Sequence, residues 1–248
     1  MNFGLIGQSL EHSFSKSYFE NKFKVENKLN FQYQNYDIDT LDSIIQLIKQ
    51  HQLKGLNITK PYKESIIPFL NHIDIEAKEI GAVNCVKITW EETQPILHGY
   101  NTDYYGFGQS IKPFLEPRHQ KALILGTGGA SKAVAYALKK IGVDVYFVTS
   151  SQSKKTNQSF LYNELNEHIF NAFKLIINTT PLGMFPHIHE EPQIPYSFLN
   201  TEHLLYDLIY NPTETLFLSK GKQQGATVIN GLNMLKLQAD KAWEIWGN

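Results

Sequence analysis

Cysteine and arginine each occur once in this 248-residue sequence, as Cys85 and Arg118. A lone cysteine excludes an intramolecular disulfide and suits a reducing cytoplasm, the expected location. A lone arginine leaves the other cationic contacts to lysine, a point charge without the bidentate guanidinium fork. No apolar run is long enough to span a bilayer. The opening residues, Met1 to Gly7, lack both the basic start and the apolar length of a secretion signal, so none is expected. Neither sign of charge dominates, because 23 basic and 24 acidic residues leave a net charge of −1. That balance exerts no long-range pull on nucleic acid or an anionic membrane. What is present is a chain that is 42% hydrophobic, enough for one large domain or two of moderate size. Small neutral or singly charged molecules are the partners that fit it.

Polar side chains gather where strands are expected to end. Leu53 to Ile58 reads as a short buried strand, followed by Thr59-Lys60-Pro61-Tyr62-Lys63, with Pro61 suited to the first turn of a helix. In open α/β sheets ligands bind at the carboxyl ends of strands, so Asn57 and Thr59 can face a polyhydroxy molecule, with Lys63 one helical turn on. An ammonium in a partly dry cleft can lose its proton near neutral pH, which makes Lys63 a candidate acid/base. The plainer reading is a surface turn carrying two ordinary lysines. Earlier in the chain a strand over residues 3–6 leads to Ser13 and Ser15, at the start of a helix marked by Tyr18, Phe19 and Phe23. Their hydroxyls and the local amides can receive a carboxylate or simply cap the helix. His12 reads as a packing or hydrogen-bonding residue.

A strand over 31–36 and a helix over 41–48 continue the alternation. A further strand is expected from 80 to 86, and its one polar side chain, Asn84, needs partners, either backbone or ligand hydroxyls. After a strand at 96–100, Asn101 to Asp103 can cap a helix running toward Leu115. An Asp103 carboxylate close to Lys63 would hold the amine oriented and charged.

From residue 121 the pattern is strand, glycine-rich turn, helix. Gly126-Thr127-Gly128-Gly129-Ala130-Ser131 lies between an apolar strand over 121–125 and an apolar-faced helix over 133–141. That arrangement is a pyrophosphate cradle, with glycines admitting the phosphates and the helix N-terminus supplying N–H donors. Ser131 stands in the last glycine position. The next strand, 143–148, ends in Thr149-Ser150-Ser151-Gln152-Ser153-Lys154-Lys155 with no Asp or Glu at its tip. Hydroxyls and ammonium groups there favour NADP over NAD. A helix is expected near 160–170, a buried strand running into a polar turn over 175–184, which includes Thr179, and a strand over 204–209 leading to Tyr210. His187 and His189 alternate in a proline-containing loop and could bind a metal, but such loops are usually exposed connections, and no metal is expected. Gln238 is a polar group on a mostly apolar last helix.

Together these stretches resemble the shikimate dehydrogenase family across nearly the whole chain. The resemblance rests on six segments in family order: Ser13-Phe14-Ser15, Asn57 to Lys63, Gly81-Ala82-Val83-Asn84, Asn101-Thr102-Asp103 with Gly106-Phe107, Gly126 to Ala130, and Gly231 with Met234, Leu235 and Gln238. It implies an α/β fold, with an N-terminal substrate domain over 1–103 and an inserted Rossmann-type NADP domain over 104–230. A C-terminal helix over 231–248 then returns to the first domain. It further implies Lys63 and Asp103 as the catalytic pair and Ser13 and Ser15, helped by Tyr210, as the substrate-carboxylate site. Thr59, Asn84, Asp103 and Gln238 match positions that bind ring hydroxyls. Cofactor contacts are expected at Gly126, Thr127, Gly128, Gly129, Ala130, Ser150, Ser151, Lys154, Thr179, Leu208 and Gly231. The implied reaction is reversible NADPH-dependent reduction of 3-dehydroshikimate to shikimate, in a monomer or homodimer. Quinate dehydrogenase, with NAD, and a non-catalytic cofactor sensor are the alternatives. Two departures stand out. Lys16 replaces the usual proline after the second serine, and Ser150-Ser151-Gln152 replaces the usual Asn-Arg-Thr, so the arginine that would clamp the NADP phosphate is absent and Lys154 is its nearest replacement.

Overall fold

The computed structural model describes residues 1–11 and 13–247, so the reading of His12 lies outside the described residues. The chain divides into two compact units, Met1–Thr102 with Ala239–Asn248, and Asp103–Gln238. In the first unit the order is β1 (Asn2–Gly7), α1 (Phe14–Val25), β2 (Gln32–Asp37), α2 (Ile44–His51), β3 (Leu53–Ile58), β4 (His72–Ile73), α3 (Ile75–Ile80), β5 (Cys85–Glu91) and β6 (Gln94–Tyr100). The second holds α4 (Asp103–Ile111), β7 (Lys121–Leu125), α5 (Gly129–Lys140), β8 (Asp144–Thr149), β9 (Ser159–Leu161), α6 (Glu167–Ala172), β10 (Leu175–Asn178), β11 (Leu204–Asp207), α7 (Leu216–Gln223) and β12 (Thr227–Ile229). The last helix, α8 (Leu232–Trp246), crosses the second boundary.

The first sheet runs β2-β1-β3-β5-β6-β4, with β1 parallel to both β2 and β3 and β5 antiparallel to both β3 and β6. This mixture puts the carboxyl ends of β1, β3 and β6 and the amino end of β5 on one edge. An apolar cluster that includes Ile48, Leu56, Val86 and Leu97 forms part of the core of this unit. Another, rich in aromatic residues, holds Phe3, Phe19, Phe23, Trp243 and Trp246.

The second sheet is parallel throughout, in the order β12-β11-β10-β7-β8-β9. Read from the β9 edge, with strands numbered within the unit, this is 3-2-1-4-5-6, the doubly wound order whose ligand crevice opens at the switch point between the first and fourth strands. Here those strands are β7 and β10. Their interiors are continuous apolar runs, as strands covered on both faces require.

Several boundaries differ from expectation. The domain limits fall at 102/103 and 238/239, because Met234 on α8 belongs to the apolar core of the second unit whereas Trp243 and Trp246 belong to the first. The segment after Thr59 is a series of turns ending in a single 3-10 turn at Ile67–Phe69, not a helix. Pro68, which lacks an N–H, stands inside that closing turn. Residues 80–84 are not strand, since α3 ends at Gly81 and β5 starts only at Cys85. The helix expected at 160–170 is instead β9, a 3-10 turn and the short α6, which begins after Asn166, whose side chain accepts from the Ile169 amide.

Candidate active site

On the ligand edge of the first unit, Thr59 follows β3 and its amide donates to the Ile6 carbonyl at 2.8 Å. Lys60 is exposed whereas Lys63 is half-buried, so the structure distinguishes the two lysines. The Lys63 carbonyl accepts from Val83 N at 2.7 Å, which fixes the backbone that carries the amine. Ser13 occupies the N-cap position of α1, yet its hydroxyl makes no capping hydrogen bond. Ser13 is half-buried and its side chain does not cap the helix. Lys16 lies exposed in the first turn of α1.

Behind the start of α1 lies a buried polar pair: Tyr33 is 2% exposed and its hydroxyl donates to Asn57 Oδ1 at 2.7 Å. Burial pushes the Tyr33 phenol far above its ordinary range, against the lowering effect of Ser15, so it stays a neutral donor. Asn57 is thus occupied inside the unit rather than facing a ligand. Asn84 accepts from the Thr102 amide at 2.6 Å through Oδ1 and donates to Thr102 Oγ1 at 3.1 Å through Nδ2. Its amide group holds the residue immediately before Asp103. Asn101 in turn donates to Ala82 O at 2.9 Å. Sequence reasoning missed Tyr33 and Thr102. The only signal for Tyr33 was its place in an alternating strand, where its depth could not be read.

In the second unit the predicted residues fall on the carboxyl edge of the parallel sheet. Gly126 begins the turn after β7 at φ +103°, and a Cβ there would lie 2.9 Å from Thr179 Oγ1. Only glycine suits both constraints. Thr179, which follows β10, donates through its hydroxyl to Leu125 O at 2.7 Å, so the two sides of the switch point are pinned together. Thr127 and Gly128 continue the turn, and Gly129 and Ala130 form the first turn of α5, whose leading amides face the crevice end. Ser131, buried, donates to Gly128 O at 2.5 Å, so a serine takes the third glycine position with its hydroxyl satisfied. These features fit a dinucleotide pyrophosphate. Ser150, Ser151 and Lys154 follow β8; Ser151 N donates to Thr149 Oγ1 at 3.2 Å and Lys154 is exposed.

A polar relay orders the β10 and β11 ends. Asn178 Nδ2 donates to Asp207 Oδ1 at 3.0 Å, while Asn178 Oδ1 accepts from Thr180 N and Oγ1 at 3.0 and 2.6 Å. Asp207 also accepts from Ile209 N at 3.1 Å and Thr215 Oγ1 at 2.6 Å. Burial raises the Asp207 carboxyl to about 6, partly opposed by these three donors. Neither Asn178 nor Asp207 was singled out from sequence, although both close buried strands. The relay positions Leu208, whose amide donates to Asn178 O at 3.0 Å, and leads to Tyr210, whose phenol is raised by partial burial. Gly231 N donates to Ile209 O at 3.0 Å, which brings it to the same turn.

Asp103 is the first residue of α4 and is 8% exposed. One turn on, Gly106 lets α8 approach so closely that a Cβ would lie 2.6 Å from Met234 O and 2.9 Å from Gln238 Cβ. The structure therefore brings Gln238 against the helix that Asp103 begins. Gln238 Nε2 donates to Leu235 O at 3.1 Å. Cys85 is fully buried and its thiol is pushed up by burial, so it is no nucleophile.

Among the described residues no group of three or more His, Cys, Asp or Glu is placed to hold a metal ion, and no helix is long and apolar enough to cross a membrane.

Residues 5–86 match the family model of the shikimate dehydrogenase substrate binding domain. Across 98% of this chain and 90% of the relative, the sequence is 39% identical to shikimate dehydrogenase (NADP(+)) of Methanococcus aeolicus. The solved shikimate dehydrogenase of Aquifex aeolicus superposes with a TM-score of 0.86 at 35% identity, covering 100% of this chain and 92% of that one. Quinate dehydrogenase of Corynebacterium glutamicum, solved in complex with NAD, gives a TM-score of 0.87 at 26% identity, covering 100% and 93%. By full-length sequence identity and by both sheets, the chain belongs to the shikimate dehydrogenase family.

Proposed function

We infer that this protein is an NADP-dependent shikimate dehydrogenase, catalysing reversible reduction of 3-dehydroshikimate to shikimate on the route to chorismate and the aromatic amino acids. The observation that carries this reading is the 39% identity to an NADP(+) shikimate dehydrogenase over 98% of the chain, with Lys63 and Asp103 both retained.

The chain's own groups divide the work as follows. Ser13 and Ser15 receive the substrate carboxylate with Tyr210. Thr59, Asn84, Asp103 and Gln238 take the ring hydroxyls. A site that hydrogen-bonds several hydroxyls rejects analogues lacking one, because its own polar groups are then left unpaired. When bound, the nicotinamide cofactor supplies the hydride. The Lys63 ammonium stabilises the charge that develops on the ring carbonyl oxygen and donates a proton from Nζ to it. Asp103 holds the ammonium and accepts from a neighbouring hydroxyl. Gly126 to Ala130 cradle the pyrophosphate, with Thr179, Leu208 and Gly231 along the same edge. Ser150, Ser151 and Lys154 take the adenosine end. Lys154 has no ion-pair partner among the described residues, whereas the neighbouring Lys155 is paired with Glu164, which supports Lys154 as the phosphate contact.

The test is initial-rate oxidation of shikimate and of quinate, each with NADP and with NAD. Shikimate with NADP is expected to dominate; a dominant quinate rate, or no turnover, would overturn the reading. Lys154→Ala is expected to raise the KM for NADPH more than that for the ring substrate, and an unchanged NADPH KM removes Lys154 from the site.

A further inference from the structure

The sequence places no carboxylate at the tip of β8, but the fold delivers one from the strand beside it. β9 runs parallel to β8, and its last residue, Leu161, is level with Thr149, the last residue of β8. Three residues on, the Glu164 side chain folds back to this edge. Its Oε2 accepts from Leu161 N at 2.8 Å, and its Oε1 accepts from Lys155 Nζ. The Leu161 amide and the Lys155 ammonium hold the Glu164 carboxyl below the usual range, so it is ionised at neutral pH. Both side chains remain partly solvent-accessible, at 34% for Lys155 and 37% for Glu164. In the segment that follows β8, Ser151 and Ser153 share a hydroxyl–hydroxyl hydrogen bond of 2.8 Å.

In a sheet of this order the adenosine ribose lies beyond the second strand. A carboxylate there accepts from the ribose diol of NAD and repels the 2′-phosphate of NADP, whereas a cation attracts that phosphate. We propose that Glu164 is a determinant of cofactor choice, neutralising Lys155 and presenting a carboxylate at the ribose edge, so that the preference for NADP over NAD is smaller than an unpaired Lys155 would give. This rests on the dinucleotide reading above and adds a residue that acts partly through Lys155. No arginine offsets it, since Arg118 precedes β7 at the opposite end of the sheet.

The test measures the dissociation constants of NADP+ and NAD+ by titration calorimetry for the wild type, Glu164→Gln, Lys155→Met and the double variant. Rates of shikimate oxidation are measured alongside. Glutamine keeps an acceptor for Leu161 N, so the edge stays folded. Glu164→Gln is expected to raise the preference for NADP+ about three- to tenfold, the size of an exposed pair acting on a charged ligand. Lys155→Met should move the preference the other way, and the double variant should fall between them. A preference within twofold of wild type in Glu164→Gln, or the same direction of change in both single variants, overturns the proposal. If shikimate is oxidised while the preference stays fixed, Glu164 is excluded and the activity stands. If the preference moves as stated without any shikimate oxidation, Glu164 stands and the activity assignment falls.

Discussion

Single side chains set the chemistry, and three carry separable predictions. Replacing Lys63 by Ala removes the proposed proton donor and is expected to lower kcat by about 10²- to 10⁴-fold, with shikimate binding, read by calorimetry, largely retained. Tyr33→Phe deletes the hydroxyl that donates to the buried Asn57 Oδ1. It should cost about 1–3 kcal/mol for the buried acceptor left unpaired, measured by denaturant unfolding. Asp207 gives a pH signature. Its folded value of about 6 lies above the unfolded value of about 3.9, so the folded state binds the proton more tightly. The stability this group contributes is therefore fully present below about pH 4 and is lost as the pH rises through about 6. Urea unfolding of Asp207→Asn should lack this slope between pH 4 and 6, and a wild-type slope in the variant would assign it elsewhere.

At the scale of elements, one turn and one helix give the motifs their setting. The β7–α5 turn works because Gly126 adopts φ +103° beside Thr179. Gly126→Ala should therefore cost about 1–2 kcal/mol of stability and weaken NADP+ binding, with shikimate affinity unchanged by calorimetry. The C-terminal half of α8 has a purely structural task. Trp246 is 7% exposed, donates from Nε1 to Val86 O at 3.0 Å and stacks on Phe3 at 4.9 Å. Trp246→Ala is expected to destabilise the first unit by about 3–5 kcal/mol, measured by denaturant unfolding.

For the whole molecule, each unit has its own buried clusters, and the residues proposed to hold the cofactor all lie in the second. Saturation with NADP+ at about 100 times its Kd adds roughly 2.7 kcal/mol to whatever binds it. Hydrogen exchange is expected to slow over residues 121–130 and 175–180 and to stay unchanged over 2–7 and 53–58. Uniform slowing would mean that the two units open as one cooperative body.

The sequence by itself determined the strand–glycine turn–helix at 121–140, the parallel class of the second sheet and the polar residues at strand ends, because each depends on local periodicity and on glycine or capping chemistry. It also carried the family, through Ser13, Lys63, Asn84, Asp103 and Gln238. It could not say that Asn57 is consumed by Tyr33, that Asn84 grips Thr102, that Asn178 and Asp207 form one relay, or that α8 divides its packing between two cores. Nor could it place Glu164 at the tip of β8. Those pairings join residues distant in sequence or on different strands, and only the register and depth of the folded sheets bring their polar atoms within hydrogen-bond distance.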